Sequence, residues 1–291
     1  HLDPQRNYTG DDLAFAGSTM HRSLTTYKMV EGEAGTDIVG DLATDTGTVS
    51  DEGKVWKFTL KDGVKFEDGS DITCADVAYG VSRSFATDVI TDGPSYAMSY
   101  LNVEGEYPGP YKATAAQQAA YDKAVVCDGK NITFNLKVPV ADFNYTVTLL
   151  TFSPVPKAAD TGEKYDMKPV SSGPYKIESY EVGKSLVLVR NENWDPATDS
   201  ERKAYADSIV YNFGLEEATI DERMIADAGE DQTAVSVGVL PENLQTVFEG
   251  DEALKNRAVN YYDPYVSYTN LNVKNLSCYE VRKAIYLGID R

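Results

Sequence analysis

Between residues 55 and 60 the chain alternates strictly, with Trp56, Phe58 and Leu60 on one side and Val55, Lys57 and Thr59 on the other. That period of two is the mark of a half-buried strand. A second short apolar stretch follows at 64–66, and Lys61-Asp62-Gly63 lies between the two. Asp-Gly flanked by alternating residues predicts a tight hairpin, because glycine takes the positive φ that the turn requires. Asp68-Gly69 predicts a second turn. Thr73, followed three residues later by Asp76, predicts a capped helix start, and Val77, Val81 and Phe85 are spaced to form its buried stripe.

The same reading continues downstream. Tyr121 and Val125 share one face of a helix over 113–126, Asp128-Gly129 turns the chain, and Ile132, Phe134 and Leu136 alternate as a strand. Prolines 154 and 156 end regular structure, since proline lacks the backbone donor. Residues 175–180 and 186–189 predict a hairpin around Gly183. After it come a strand at 207–213, a helix at 218–228, an alternating stretch at 235–239 and a short helix at 241–248. Upstream, Leu13, Phe15, Met20 and Leu24 fit a short helix that starts at Asp11 or Asp12. Residues 265–273 (YVSYTNLNV) read as a strand on which Tyr268, Asn270 and Asn272 share one face. Strands alternating with helices over 172–248 suit a mixed α/β lobe.

Three stretches carry a resemblance through their order and spacing. They are VWKFTLKDGVKFEDGSDITCADVAYGVSRSF at 55–85, SGPYKIESYEVGKSLVLVRNENW at 172–194 and YEVRKAIYLGIDR at 279–291. Together they resemble the large solute-binding proteins of ABC importers, in the family that captures oligopeptides, dipeptides, nickel and some oligosaccharides (family 5). The resemblance implies an α/β (mixed α+β) fold, a periplasmic-binding-protein-like type II lobe with an additional inserted α+β subdomain. Residues 1–30 and 166–264 would form the discontinuous first ligand-binding lobe, 31–165 the inserted subdomain, and 265–291 the hinge crossover and start of a second lobe. The resemblance also implies further chain beyond Arg291, so the sequence reads as an N-terminal fragment with the second lobe mostly absent. Cys74 stands where the family usually has a small residue, and Ser171-Ser172-Gly173 replaces the commoner Gly-Thr-Gly.

Charge and composition narrow the partners. The formal net charge is −19, from 46 acidic and 27 basic residues, which argues against a nucleic-acid backbone as partner. No run of eighteen apolar residues is present to span a membrane. Cys74 and Cys127 fall within the one inserted subdomain. They are either a disulfide, in an exported protein, or two buried thiols, and Cys278 is left over. With His1 and His21 the only histidines and no C-x-x-C, a metal site is not expected. No cofactor is implied.

Catalysis has little to stand on. A Ser/His/Asp set would need His1 or His21, and His21 beside Arg22 reads as a satisfied, partly exposed side chain in a helix. Neither G-x-S-x-G nor a phosphate-binding loop occurs. Binding has more support, because the chain holds 20 tyrosines, each an apolar face with a hydrogen-bonding tip. The resemblance places Tyr96 and Tyr100, in PSYAMSYL at 94–101, beside a peptide. It places the strand of Tyr268, Asn270 and Asn272 along the ligand backbone, and Ser18 and Thr19 near the cleft. Its implied function is an extracytoplasmic, monomeric binding component, periplasmic or a cell-surface lipoprotein, that hands peptide or another small solute to membrane permease subunits. A solute-sensing receptor on the same scaffold, and a carrier of oligosaccharide or nickel, are the alternatives. An acidic glycoside hydrolase is the most distant reading.

Overall fold

A computed structural model describes residues 1–259 and 268–289. The strands are β1 (Thr25–Tyr27), β2 (Ile38–Gly40), β3 (Thr48–Ser50), β4 (Val55–Thr59), β5 (Val125–Asp128), β6 (Asn131–Asn135), β7 (Tyr175–Glu181), β8 (Ser185–Arg190) and β9 (Ser208–Asn212). The helices are α1 (Gly10–Thr19), α2 (Cys74–Arg83), α3 (Tyr96–Tyr100), α4 (Ala115–Ala124), α5 (Phe143–Thr146), α6 (Glu217–Ala226), α7 (Leu244–Glu249), α8 (Glu252–Lys255) and α9 (Tyr279–Gly288). The fold is mixed α and β. It divides into two compact units, residues 1–215 and 216–291.

In the first unit, β1 pairs with β2, a four-stranded antiparallel sheet runs in the order β3-β4-β6-β5, and a three-stranded one in the order β7-β8-β9. The alternation of β4 sets which face is buried. Trp56, Phe58 and Leu60 join Ile132 and Phe134 of β6 and Leu136 just after it in one core, while Lys57 is exposed. Val77 and Val81 of α2, Tyr121 of α4, Phe143 and Phe152 complete that core. The rings meet at edges, as in Phe134–Phe143 at 5.4 Å and Phe134–Phe152 at 5.8 Å, the arrangement aromatic quadrupoles favour. A smaller core joins Ala16 and Met20 to Tyr175, Ile177, Leu186 and Leu188 of the β7–β8 hairpin.

Both long helices of the larger core begin with reciprocal caps. Thr73 accepts from the Asp76 backbone N–H while Asp76 accepts from that of Thr73, and Thr114 and Gln117 do the same for α4. Cys74 opens α2 and is disulfide-bonded to Cys127 of β5, across 53 residues of chain.

Several sequence expectations give way to longer-range pairing. Residues 55–60 and 64–66 do not form a hairpin, although Gly63 does turn with φ 75°. The inner edge of β4 is taken by β6, and the Leu60 and Lys61 N–H groups bond to the carbonyls of Lys130 and Leu42. Residues 64–66 fold back instead on 70–72 around Asp68-Gly69, through Phe66 N to Ser70 O at 2.9 Å and Ile72 N to Val64 O at 3.0 Å. Phe85 lies beyond the end of α2 and is half-buried. Helix α1 ends at Thr19, so Met20 caps it and Leu24 is past it. Its N-cap is Thr9, with Asp11 and Asp12 inside the first turn.

In the second unit, Asp221 of α6 accepts from the Leu240 N–H at 3.0 Å and the Asn243 side chain at 2.7 Å, and Val247 of α7 is buried. The alternating stretch 235–239 is not a strand: no neighbour pairs with it among the described residues, and Val235 is 92% exposed. Of the strand expected at 265–273, residues 265–267 lie outside the described residues, and 268–273 form no strand. The Asn272 side chain accepts from the N–H groups of Lys274 and Asn275, which turns the chain there.

Candidate functional site

The structure distributes the candidate residues over three places. Tyr96 and Tyr100 open and close α3, with Ala97 between them buried in the larger core. The helix has only five residues, and its exit is held from outside: Lys137 donates its backbone N–H to the Tyr100 carbonyl and its ammonium to that of Met98, both at 2.8 Å. Tyr100 is half-buried with its ring edge-on to Phe143 at 6.3 Å. Tyr96 lies 6.2 Å from Tyr100 and is 38% exposed. One tyrosine therefore anchors the pair in the core and the other offers its face to solvent. On the far side of α5, Tyr145 meets Tyr27 of β1 at 6.1 Å, both partly exposed. That pair was not legible in sequence, since its members are 118 residues apart in no shared pattern.

Ser18 and Thr19 end α1. Thr19 is buried and gives its hydroxyl to the Phe15 carbonyl at 2.6 Å, a helix back-bond. Ser18 is exposed and bonds the same carbonyl at 3.0 Å. Both hydroxyl protons are spent inside the helix, which leaves only the oxygen of Ser18 accessible as an acceptor. Among the described residues, no hydrogen bond or ring contact joins this turn to α3. Tyr268, Asn270 and Asn272 belong to the second unit, with Tyr268 78% exposed and Asn272 committed to its turn.

Two of the three sequence stretches hold the end of α1 in place. Ser172 and Gly173 give their N–H groups to the Met20 carbonyl at 2.9 and 2.8 Å. A Cβ on Gly173 would press into the Thr19 carbonyl oxygen, so glycine is required by the close approach. Asn191 donates to the Gly173 carbonyl at 2.8 Å, and Asn193 to that of Glu67 at 2.9 Å, linking 172–194 to 55–85. Burial pushes the Glu67 carboxyl up, against the Ser171 N–H it accepts at 3.0 Å.

Below them is a buried set of two arginines and two aspartates. Arg22 reaches Asp41 at 2.6 Å, while Arg202 forks onto both Asp41 oxygens at 3.1 and 3.0 Å and touches Asp199 at 3.1 Å. Arg202 also donates to the Gly17 carbonyl of α1 at 2.7 Å. Burial works against the Asp199 carboxylate, yet Arg202 and Arg22 hold its pKa below the usual range. Opposite charges in equal number make the cluster self-neutralising, and such a cluster fixes geometry more than it adds stability. A second hub, Arg83, forks onto Asp3 at 2.8 and 2.6 Å and reaches Asp160 at 3.1 Å, tying the chain start under α2. His21 is also not as expected. It is 1% exposed, lies outside any helix, and donates Nε2–H to the Leu2 carbonyl at 2.8 Å. Burial lowers its pKa from 6.5 to about 4, so it is neutral at pH 7.

Among the described residues, no group of three or more His, Cys, Asp or Glu is placed to hold a metal ion, and no helix is long and apolar enough to cross a membrane. The sequence matches the family described as bacterial extracellular solute-binding proteins, family 5, middle part, over residues 37–291. The chain belongs to that family. Among its family 5 relatives, the probable D,D-dipeptide-binding periplasmic protein DdpA of Escherichia coli K12 is 30% identical over 66% of this chain and 34% of its own length. The oligopeptide-binding protein OppA of Bacillus subtilis is 26% identical over 83% of this chain and 43% of its own. Of solved structures, clavulanic acid biosynthesis oligopeptide binding protein 2 superposes with a TM-score of 0.79 at 34% identity, over 87% of this chain and 45% of that one. The open murein tripeptide binding protein MppA, at 22% identity and a TM-score of 0.65, shares the fold. This chain spans less than half the length of each of these relatives.

Proposed function

We propose that this chain forms part of an extracytoplasmic receptor that captures peptides in a cleft between two lobes and delivers them to the permease of an ABC importer. The observation that carries the reading is its likeness to clavulanic acid biosynthesis oligopeptide binding protein 2, at 34% identity over 87% of the chain. The names of the DdpA and OppA relatives point to the same class of solute. Residues 1–30 and 166–264 would supply the first lobe and 31–165 an inserted subdomain. Residues 265–291 would lead into the second lobe.

In this reading Tyr96 offers its exposed ring to ligand side chains, with Tyr100 fixing it from behind. A tyrosine face suits varied side chains because it supplies apolar area with little rotamer entropy to lose. Ser18, Tyr268 and Asn270 would add polar contacts as the lobes close by hinge motion. The receptor would act as a monomer, free in a periplasm or tethered by a lipid.

Native mass spectrometry of the family-length protein, purified without denaturation, tests the proposal. Co-purifying masses that fragment as short peptides are the expected result. A protein that is empty, stays empty when peptides are added and shifts only with a sugar or a metal would overturn peptides as the solute.

A further inference from the structure

Helix α3 is too short to stand alone. It has five residues, and a first helical turn fixes more of the chain than its few hydrogen bonds repay. Ser95, at its N-cap, gives it no side-chain bond. The conformation that presents Tyr96 is therefore imposed by what holds the chain on either side. After α3 that hold lies in the main chain: Leu101 bridges to Leu136, and the Tyr100 carbonyl takes the Lys137 N–H. Before α3 it comes from the chain start.

The Arg6 guanidinium forks onto Asp92, Nε to Oδ1 at 2.8 Å and Nη2 to Oδ2 at 3.0 Å. That bond raises the pKa of Arg6 and lowers that of Asp92. Arg6 is mostly covered while Asp92 faces solvent, so the pair acts less through its charge than through its two parallel bonds, which set angle as well as distance. His1 Nε2 also reaches Asp92, at 2.8 Å, but as a single contact without a fork. Next along the chain, Gly93 lies on the Gln5 backbone: a Cβ there would sit 2.0 Å from the Gln5 carbonyl oxygen. Gln5 is itself buried, with its amide donating to the Ser153 carbonyl at 3.2 Å and its side-chain oxygen accepting from Arg83. Pro94 is buried and has a fixed φ. These three residues aim the chain into α3, and the Arg6 fork is the hold among them that a substitution can remove without disturbing a close backbone approach.

We propose that Arg6 is the positioning residue of the Tyr96 site: through Asp92 it holds α3 in the turn that presents the ring before the solute arrives. This rests on the reading of Tyr96 as a peptide contact, and a ring ordered beforehand loses less entropy on binding. Two measurements keep the hold and that reading apart. In the isotope-labelled chain, Arg6→Gln should speed hydrogen exchange about tenfold at Ser99 and Leu101, whose N–H groups bond the Ser95 and Ala97 carbonyls. Exchange across β4 and β6 should stay unchanged, which establishes that the fold is intact. Arg6→Lys, which keeps the charge but not the fork, should fall between parent and Arg6→Gln. Unchanged exchange at Ser99 and Leu101 in Arg6→Gln would overturn the proposal. In the family-length protein, calorimetry with the tripeptide Ala-Phe-Ala closes a double-mutant cycle: Arg6→Gln should weaken binding about fivefold in the parent and not at all in Tyr96→Ala. An equal loss in both backgrounds would overturn the proposal, since Arg6 would then act by a route other than Tyr96. Should Tyr96→Ala bind the tripeptide like the parent, or neither bind it, the exchange rates alone decide whether Arg6 holds α3.

Discussion

His21 makes a quantitative test of how the chain start is packed. Its imidazole is enclosed, and Nε2–H donates to the Leu2 carbonyl at 2.8 Å, so the folded state holds it neutral with a pKa of about 4 against 6.5 when free. The unfolded chain therefore takes up the proton first as pH falls. Stability from this group is complete above 6.5 and is lost as pH descends toward 4. A gap of about 2.5 units corresponds to about 3 kcal/mol in full, of which about 2.5 is gone by pH of about 4.5. The many carboxylates add their own acid dependence, so the measurement is a double difference. Urea unfolding of the parent and of His21→Gln, at about pH 7 and pH 4.5, isolates the imidazole, because glutamine can keep a donor toward Leu2 but does not titrate. The parent should lose about 2.5 kcal/mol more than the variant on acidification. Equal losses would refute the reasoning. Should the variant not fold, the answer is available directly: His1 and His21 are the only histidines, and an NMR titration showing His21 to protonate near its ordinary value would be just as decisive.

Other perturbations read other parts of the structure. Replacing Cys74 and Cys127 together by serine opens a loop closed across 53 residues and should cost about 4 kcal/mol in the chain-entropy treatment, measured as a lower urea midpoint; no change would mean that the unfolded chain is already constrained. Gly80→Ala should destabilise by about 2 kcal/mol, even though alanine favours the helix by about 1, because the new methyl presses on the Ser153 backbone carbonyl, which has no rotamer to escape into; a stabilised variant would show that α2 can shift. In the family-length protein, Tyr96→Ala should weaken peptide binding by about tenfold, by calorimetry, while Tyr96→Phe stays near the parent, since the proposed contact is made by the partly exposed ring. Equal losses in both would shift the role to the hydroxyl.

Much of this architecture is legible from local chemistry. The period-two pattern of 55–60 picks out the buried face of β4, Thr73 with Asp76 marks the start of α2, and Gly183 marks the β7–β8 turn. Each of these is decided within a few residues by sterics and hydrogen bonding, so the sequence carries them explicitly. The misread hairpin at 61–63 shows where that logic stops. Asp-Gly does turn the chain, but β4 spends its hydrogen bonds on β6, some seventy residues on, because only that register lines up Trp56 with Phe134 and Phe58 with Ile132 in one core. A turn signal states that the chain bends; what the bend brings together is settled by the apolar faces.

The candidate site was less legible for the same reason, made stronger by charge. Ser18 and Thr19 are placed near the cleft by resemblance alone, and no local pattern reveals that the Phe15 carbonyl takes both hydroxyl protons. Arg22, Asp41, Asp199 and Arg202 lie in three separate stretches, and in a chain with 46 acids any one of them reads as a solvated surface charge. Their meeting follows from closure of the β7–β8 hairpin against α1, which buries all four charges together and leaves them one another and a few nearby polar groups, such as the Gly17 and Thr198 carbonyls, as partners. The consequence is physical as well as historical. Ser172, Gly173, Asn191 and Asn193 place α1 against the buried charges and lock 172–194 onto 55–85. The residues that made the family recognisable are thus the ones that hold the frame.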